Sequence, residues 1–346
     1  MKRNQFNKVF ASIPLLGLAS HNMDFFAKSS EPEIDKIIPN RLKKGDTIGL
    51  IAPASSASDD AYKRALKNIS DLGFKYKLGQ NLLKKNGYLA GSDAERANDI
   101  NSMFADDEVN AVWCIRGGYG ITRIINDIDY DIIKSNPKVL IGYSDITALH
   151  LAINKMTGLI TFHGPVASSE FTPYTKENFI NILVEGGKII SNTSEMQRAK
   201  GDIYSPYIIN PGEMKGKLVG GNLCLLSALA GTKYDFDASG KIVFIEDIDE
   251  KPYRIDRMLT QLLDASNLQR ASGIILGVMK GCEKVKGDNS WTLEETLKDR
   301  LGDLNIPVYY GFSFGHIKNN CTLPVGAEAV FNTDEQKLML LEDVVR

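Results

Sequence analysis

The sequence is poor in cysteine and histidine, with four of each among 346 residues. No two cysteines form a C-x-x-C pair, so neither a zinc knuckle nor a dithiol redox motif is encoded. No apolar run reaches the roughly 20 residues that a membrane-spanning helix needs. The 41 basic and 43 acidic residues give a net charge of −2, so the chain has no excess of positive charge with which to bind the phosphates of a nucleic acid. We therefore expect neither a nucleic-acid partner nor stable membrane insertion.

The composition is that of a soluble globular protein. Hydrophobic residues make up 43% and charged residues 24% of the chain, which excludes disordered, collagen-like and coiled-coil classes. At roughly 150 residues per domain, the length predicts about two domains with a core large enough to need no disulfides. Cys114 and Cys224 lie within apolar segments, so we expect both to be buried free thiols.

The first 30 residues differ from the rest. Lys2, Arg3 and Lys8 precede an apolar stretch over residues 9–20 that ends in small residues. A basic start, about a dozen apolar residues and a small-residue exit are typical of a secretory leader. Residues 1–30 are therefore predicted to direct export to the periplasm or cell envelope. The alternative is an N-terminal arm of a cytoplasmic protein.

From residue 43 onward, apolar strand patterns alternate with amphipathic helix patterns. Buried strands are predicted over residues 47–52, 111–115 and 139–143, and the Ser92/Glu95 pair forms a capping box that begins a helix. Such alternation indicates parallel βαβ units in an open α/β sheet. We predict an N-terminal domain, a linker and a C-terminal domain, over residues 43–185, 186–214 and 215–335.

Ser144 lies where a predicted strand meets a helix. A serine at such a turn projects its hydroxyl from the sheet edge, beside the amide donors of the helix N-terminus. Gly142 relieves crowding there, but Ile146 stands where the G-x-S-x-G elbow has its second glycine. The alternative is an N-cap serine with no catalytic role.

A glycine-rich segment, R-G-G-Y-G, follows the strand predicted at 111–115. Glycines at the carboxyl end of a strand leave backbone amides exposed to an oxyanion or a phosphate. The segment at 116–120 is not G-x-G-x-x-G and no Walker lysine follows, so nucleotide binding has weak support. A plain turn is the alternative.

An acidic run, E-D-I-D-E, ends the strand predicted at 241–245. One carboxylate of this run, residues 246–250, would orient a histidine, as the acid of a catalytic triad does. The same acids are also compatible with a divalent metal site, or with a solvated loop before a helix N-terminus.

The four histidines differ in their surroundings. His21 lies in the predicted leader, and His150 lies on the apolar face of its helix, which indicates a packed core residue. His163 and His316 both follow apolar strands and adjoin glycine. Open α/β folds place their binding and catalytic residues at such strand ends. From the residues alone, the two remain equal candidates for a catalytic base.

Several motifs in one order resemble the LD-carboxypeptidases, a family of serine peptidases that includes murein tetrapeptide carboxypeptidases and microcin-immunity peptidases. The similarity runs from about residue 43 to about residue 331. The motifs are Y-L-A-G-S-D at 88–93 with Arg96, R-G-G-Y-G at 116–120, G-Y-S-D-I-T-A-L-H at 142–150, G-G-N-L at 220–223, I-E-D-I-D-E at 245–250, Y-R-I-D-R-M at 253–258 and F-G-H at 314–316.

The resemblance implies a role for individual residues. It implies Ser144 as nucleophile, Glu246 as the acid and His316 as the base, which separates His316 from His163. It also implies an oxyanion hole made by the backbone amides of Asp145 and Gly118.

The resemblance further implies a Rossmann-like N-terminal domain, a smaller β-rich C-terminal domain, frequent homodimers, and no metal or cofactor. The expected activity is release of terminal D-alanine from murein stem tetrapeptides. Arg116 is our candidate for binding the terminal carboxylate, because a guanidinium suits that geometry; a salt bridge to a neighbouring loop is the alternative. Three other readings stay open: a microcin-immunity-type amide hydrolase, a metal-dependent hydrolase using the acids at 246–250, and a binding protein without turnover.

Overall fold

The computed structural model describes residues 34–192 and 202–346. The predicted leader, residues 1–30, therefore lies outside the described residues, as does the middle of the predicted linker.

Fourteen strands in the described residues form two sheets. They are β1 (Thr47–Ile51), β2 (Lys75–Leu78), β3 (Ala111–Cys114), β4 (Val139–Gly142), β5 (Thr161–His163), β6 (Ile189–Ser191), β7 (Tyr207–Asn210), β8 (Glu213–Asn222), β9 (Ile242–Glu246), β10 (Gly273–Gly277), β11 (Val308–Phe312), β12 (Leu323–Val325), β13 (Glu328–Asn332) and β14 (Lys337–Leu340).

The first sheet has the order β12-β5-β4-β3-β1-β2, and all its pairings are parallel except that of β12 with β5. The second has the order β6-β14-β13-β8-β9-β10-β11-β7, with β8 to β11 parallel and the outer strands antiparallel. The predicted α/β fold, with a parallel sheet first and a strand-rich half second, is confirmed.

The helices cover and join the sheets. They are α1 (Asp59–Asp71), α2 (Asp93–Ala105), α3 (Ile121–Ile124), α4 (Tyr130–Ser135), α5 (Ile146–Thr157), α6 (Pro173–Ile180), α7 (Leu223–Leu229), α8 (Pro252–Ala265) and α9 (Leu293–Leu301). The predicted capping box of Ser92 and Glu95 is present at the start of α2. In the described ranges, no helix combines the length and the apolar character needed to cross a membrane.

The two halves are more interwoven than the predicted domains and linker imply. Strands β6 and β7 come from the segment predicted as a linker, and both pair within the second sheet. Strand β12 lies within the second half of the chain yet pairs with β5 of the first sheet. Residues 34–346 accordingly form one compact unit, because strand exchange and a shared apolar core join the sheets.

Helix α5 lies between the two halves. It contacts β4, β5 and β12 on one side and α7 and β8 on the other, and it ends at Gly158 in the left-handed conformation. Apolar residues cover most of its circumference and are buried, as expected for a helix enclosed by protein. The N-terminus of this central helix is therefore fixed between the sheets.

Candidate active site

Ser144 occupies the turn between β4 and α5. Its backbone has φ = +66°, a left-handed conformation that is uncommon for residues other than glycine. Such strained residues persist only where the surrounding structure fixes them, and they cluster at functional sites. The turn leaves Ser144 partly exposed, although Gly142 before it and Asp145 after it are buried.

The turn depends on a close approach between Gly142 and Ile146. A Cβ atom on Gly142 would lie 2.9 Å from two side-chain carbons of Ile146. The isoleucine that replaces the second glycine of the G-x-S-x-G pattern thus packs over the first one. A tight serine turn therefore forms here although that pattern is incomplete.

The structure brings Ser144, His316 and Glu246 into one hydrogen-bonded chain. His316 Nε2 lies 3.1 Å from Ser144 Oγ, and His316 Nδ1 lies 2.7 Å from Glu246 Oε2. The three side chains come from the end of β4, the loop after β11 and the last residue of β9. These are carboxyl ends of parallel strands, where open α/β sheets place their sites.

Glu246 and His316 each shift the pKa of the other. Glu246 is fully buried, and burial raises the pKa of its carboxyl, but the charge and hydrogen bond of His316 outweigh burial and hold the pKa below its usual value. Burial likewise lowers the pKa of His316, and Glu246 overcomes this effect so that the pKa lies above the ordinary value. Each group therefore stabilises the charged form of the other.

The remaining acids of the 246–250 run have other partners. The carboxylate of Asp247 accepts hydrogen bonds from the Asn222 side chain and the Cys224 backbone amide, both at 3.0 Å, and burial raises its pKa to about 7. Glu250 pairs with Arg254 at 2.6 Å. Within residues 34–192 and 202–346, no three His, Cys, Asp or Glu side chains are grouped so as to hold a metal ion.

The glycine-rich segment lies directly against the serine turn. A Cβ atom on Gly117 would meet Ser144 Cβ at 2.9 Å, so a larger residue has no room there. The Asp145 carboxylate accepts from the Ile121 backbone amide at 2.9 Å and ties the end of the segment to the turn. In the described part of the chain, the backbone amides of Asp145 and Gly118 donate to no protein acceptor. Both amides are therefore free of protein acceptors in the described residues, and Gly117, which precedes Gly118, lies against Ser144 and the Asp145 amide.

The structure separates the two candidate histidines. His163 is the last residue of β5, is fully buried, and neither ring nitrogen has a hydrogen-bond partner among the described residues. Burial lowers its pKa to about 4, so it is neutral at physiological pH. His150 is packed in the core as expected, with Nε2 2.8 Å from the Gly142 carbonyl oxygen. Of the three histidines in the described residues, His316 alone contacts both Ser144 and an acid.

Family models of the LD-carboxypeptidase N-terminal domain and C-terminal domain match residues 48–164 and 215–331. The chain belongs to the LD-carboxypeptidase family. It is a serine-type carboxypeptidase, as the motifs predicted.

Curated relatives of this LD-carboxypeptidase carry murein in their names. A probable murein peptide carboxypeptidase of Bacillus subtilis is 42% identical over 308 residues, covering 87% of this chain and 93% of the relative. The murein tetrapeptide carboxypeptidase of Pseudomonas aeruginosa is 30% identical over 293 residues, covering 82% and 92%.

Solved structures show the same fold. The muramoyltetrapeptide carboxypeptidase from Oxalobacter formigenes has a TM-score of 0.73 at 30% identity, covering 85% of this chain and 97% of that one. The microcin C7 self immunity protein MccF, in complex with aspartyl sulfamoyl adenosine, has a TM-score of 0.80 at 28% identity, covering 90% and 100%.

Arg116, the sequence candidate for the substrate carboxylate, is exposed in this enzyme and donates to the Ser56 carbonyl oxygen at 3.1 Å. Among the described residues it has no ion pair. Cys224 is a free thiol as predicted, but the prediction that it is buried was wrong, because this residue is exposed. It lies in the first turn of α7 on the side away from the buried Leu223 and Leu226. Cys114 is buried and free as expected.

Three supporting side chains have roles that sequence reasoning missed. The Arg96 guanidinium, fully buried, donates to the carbonyl oxygens of Pro53 and Gly120 and so fixes the end of the glycine-rich segment. Asn222 holds Asp247, and the Asp145 carboxylate caps α3. Arg96 and Asn222 lie within the family motifs, and that was the only signal available in the sequence.

Proposed function

We propose that this enzyme hydrolyses the peptide bond before the terminal D-alanine of murein stem tetrapeptides, with Ser144 as nucleophile. The observation that carries the proposal is the hydrogen-bonded chain from Ser144 through His316 to Glu246. The names of the relatives, murein peptide and murein tetrapeptide carboxypeptidases, support the choice of substrate.

The first step is activation of Ser144. An ionised carboxylate only accepts hydrogen bonds, so Glu246 holds the proton of the imidazole on Nδ1 of His316 and leaves the lone pair of Nε2 facing the serine. His316 takes the hydroxyl proton as Ser144 attacks the scissile carbonyl carbon. The imidazolium that forms is stabilised by the buried charge of Glu246.

The oxygen of the attacked carbonyl becomes an oxyanion. We assign its stabilisation to the backbone amides of Asp145, the residue after the nucleophile, and Gly118, the residue after the Gly117 that lies against Ser144. Neither amide has a protein acceptor in the described part of the chain. Removing one such donor typically costs about 10²–10³ in rate. Collapse of the intermediate transfers the proton from His316 to the leaving amine, and water then hydrolyses the acyl-enzyme by the same steps in reverse.

The test is incubation of the chain with a murein tetrapeptide and quantification of released D-alanine by mass spectrometry. We expect release by the wild type and a fall of at least about 10⁴-fold in Ser144→Ala. Ser70→Ala, which changes an exposed serine of α1 outside this cavity, is the matched control. Equal turnover by wild type and Ser144→Ala would rule out Ser144 as nucleophile.

A second candidate is an amide hydrolase of the microcin-immunity type on the same triad. The similarity to the microcin C7 self immunity protein, with a TM-score of 0.80 over 90% of this chain, favours it. An aspartyl-adenylate analogue with a cleavable amide is the discriminating substrate. Turnover of that analogue, with none of the tetrapeptide, would favour the second candidate.

Metal dependence and location are tested separately. Tetrapeptide turnover that persists in a chelator excludes the metal-dependent hydrolase, whereas strict dependence on a divalent metal contradicts the triad mechanism. Export by residues 1–30 also remains a proposal. It is tested by fractionating cells that carry the full chain or a chain lacking those residues. The expected homodimer is tested by measuring the molar mass in solution by light scattering.

A further inference from the structure

The leaving residue of the substrate must lie on the His316 side of the site. In the proposed mechanism His316 donates a proton to the leaving amine, so that amine lies within hydrogen-bond reach of Nε2. The glycine-rich segment lies against Ser144 and the Asp145 amide and does not line the cavity that His316 lines. The carboxylate of the leaving residue is therefore recognised from the His316 side.

A cavity of about 560 Å³ opens on that side. Its lining includes His316 and Tyr143, the residue before the nucleophile, and none of residues 116–120. It has room for the terminal residue of a peptide together with its carboxylate. Arg116, the first candidate for carboxylate binding, does not line it.

Two lysines line this cavity, and they differ in their partners. Lys318 pairs with Glu170 at 2.8 Å, so its charge is already compensated. Lys280 is exposed and has no carboxylate partner in the described ranges. A cation that faces a cavity without a partner is available for an anionic ligand.

The position of Lys280 is fixed by the strand that carries the catalytic acid. Its carbonyl oxygen accepts from the Asp249 backbone amide at 2.9 Å, and it forms a β-bridge with Ile248, two residues after Glu246. The positive charge of Lys280 acts on His316, where it lowers the pKa against the larger effect of Glu246. Lys280 and His316 also line the same cavity.

We propose that Lys280, and not Arg116, binds the carboxylate of the C-terminal residue that leaves, and so makes the enzyme a carboxypeptidase. The inference rests on the proposed function, because it needs a substrate whose leaving residue has a free carboxylate. A charged donor placed beside the general acid selects the last residue of a chain over an internal one.

The test compares a murein tetrapeptide ending in free D-alanine with the same peptide ending in D-alaninamide. The measured quantity is the ratio of kcat/KM for the free acid to kcat/KM for the amide. We expect the wild type to favour the acid, and Lys280→Met to lower the ratio about 10- to 100-fold, the usual loss for one charge-assisted hydrogen bond. Lys280→Arg should restore most of it.

The controls distinguish failure of the Lys280 inference from failure of the proposed substrate. Lys284→Met, on the same loop but with its side chain bonded to the Ser290 carbonyl oxygen, should keep the wild-type ratio. An unchanged ratio in Lys280→Met, a wild type indifferent to the amide, or loss of the ratio in Arg116→Met would each overturn the inference. A wild type that hydrolyses neither peptide would instead refute the proposed substrate.

Discussion

Glu246→Gln is the change that most directly probes how the site works. Glutamine keeps the shape of the side chain and removes its charge, at a fully buried position 2.7 Å from His316 Nδ1. With charge centres about 4 Å apart and an effective dielectric constant of about 20, the charge stabilises the imidazolium by about 4 kcal/mol. That corresponds to about 10³ in rate, and a glutamine amide that donates to Nδ1 would add the cost of the wrong tautomer. We expect kcat to fall about 10³- to 10⁴-fold.

The same substitution should move the pH profile. His316 acts as a base only when it is deprotonated, so kcat/KM rises as the pH passes upward through the pKa of His316. Glu246 holds that pKa above 6.5, against burial, which lowers it. Without the carboxylate, burial, the largest effect, and the positive charge of Lys280 lower the pKa of His316, opposed by the smaller effect of Asp247. The acid limb of the profile should therefore shift to lower pH in Glu246→Gln.

The assay is tetrapeptide turnover measured from pH 5 to 9, with a thermal melt to confirm folding. Glu250→Gln is the matched control, because this acid lies on the same loop and pairs with Arg254 instead of the histidine. We expect it to stay within a few-fold of wild type. A folded Glu246→Gln enzyme that loses less than 10-fold in kcat and keeps its acid limb would refute the proposed role of Glu246.

Two further predictions concern the turn and its support. Gly142→Ala should lower both Tm and activity, because the new Cβ would lie 2.9 Å from side-chain carbons of Ile146. Adding Ile146→Ala to the same chain should restore part of the loss. No recovery in the double variant would contradict the contact. Arg96→Met should lower the free energy of unfolding in urea by at least about 2 kcal/mol, because it leaves the Pro53 and Gly120 carbonyl oxygens without this donor. An unchanged unfolding midpoint would show that other groups donate hydrogen bonds to these oxygens.

The strands and helices around the site were predictable, because their apolar periodicity is local. The strands at β1, β3 and β4 and the helix at α2 lie within one or two residues of their predicted bounds. Strands β6, β7 and β12 were not predicted. They are three or four residues long and take their place from distant partners, so the local sequence has little pattern to reveal them.

The local sequence was also insufficient to identify the catalytic histidine. His163 and His316 follow similar apolar segments and adjoin glycine, so the residues alone left them equal. The structure separates them because His163 still belongs to β5 and packs into the core, whereas His316 lies four residues beyond β11 and faces Ser144. Family motifs indicated His316 without giving this reason.

By itself the sequence determined the α/β class, the serine turn and, through its motifs, the family. These depend on neighbouring residues: alternating strand and helix patterns, and a serine directly after a strand with glycine two positions before it. Only the tertiary structure decided which histidine meets Ser144 and which lysines line the cavity beside that histidine. Glu246, His316 and Lys280 are more than 100 residues from Ser144 in the chain, and the pairing of parallel strands in two sheets determines where each side chain lies.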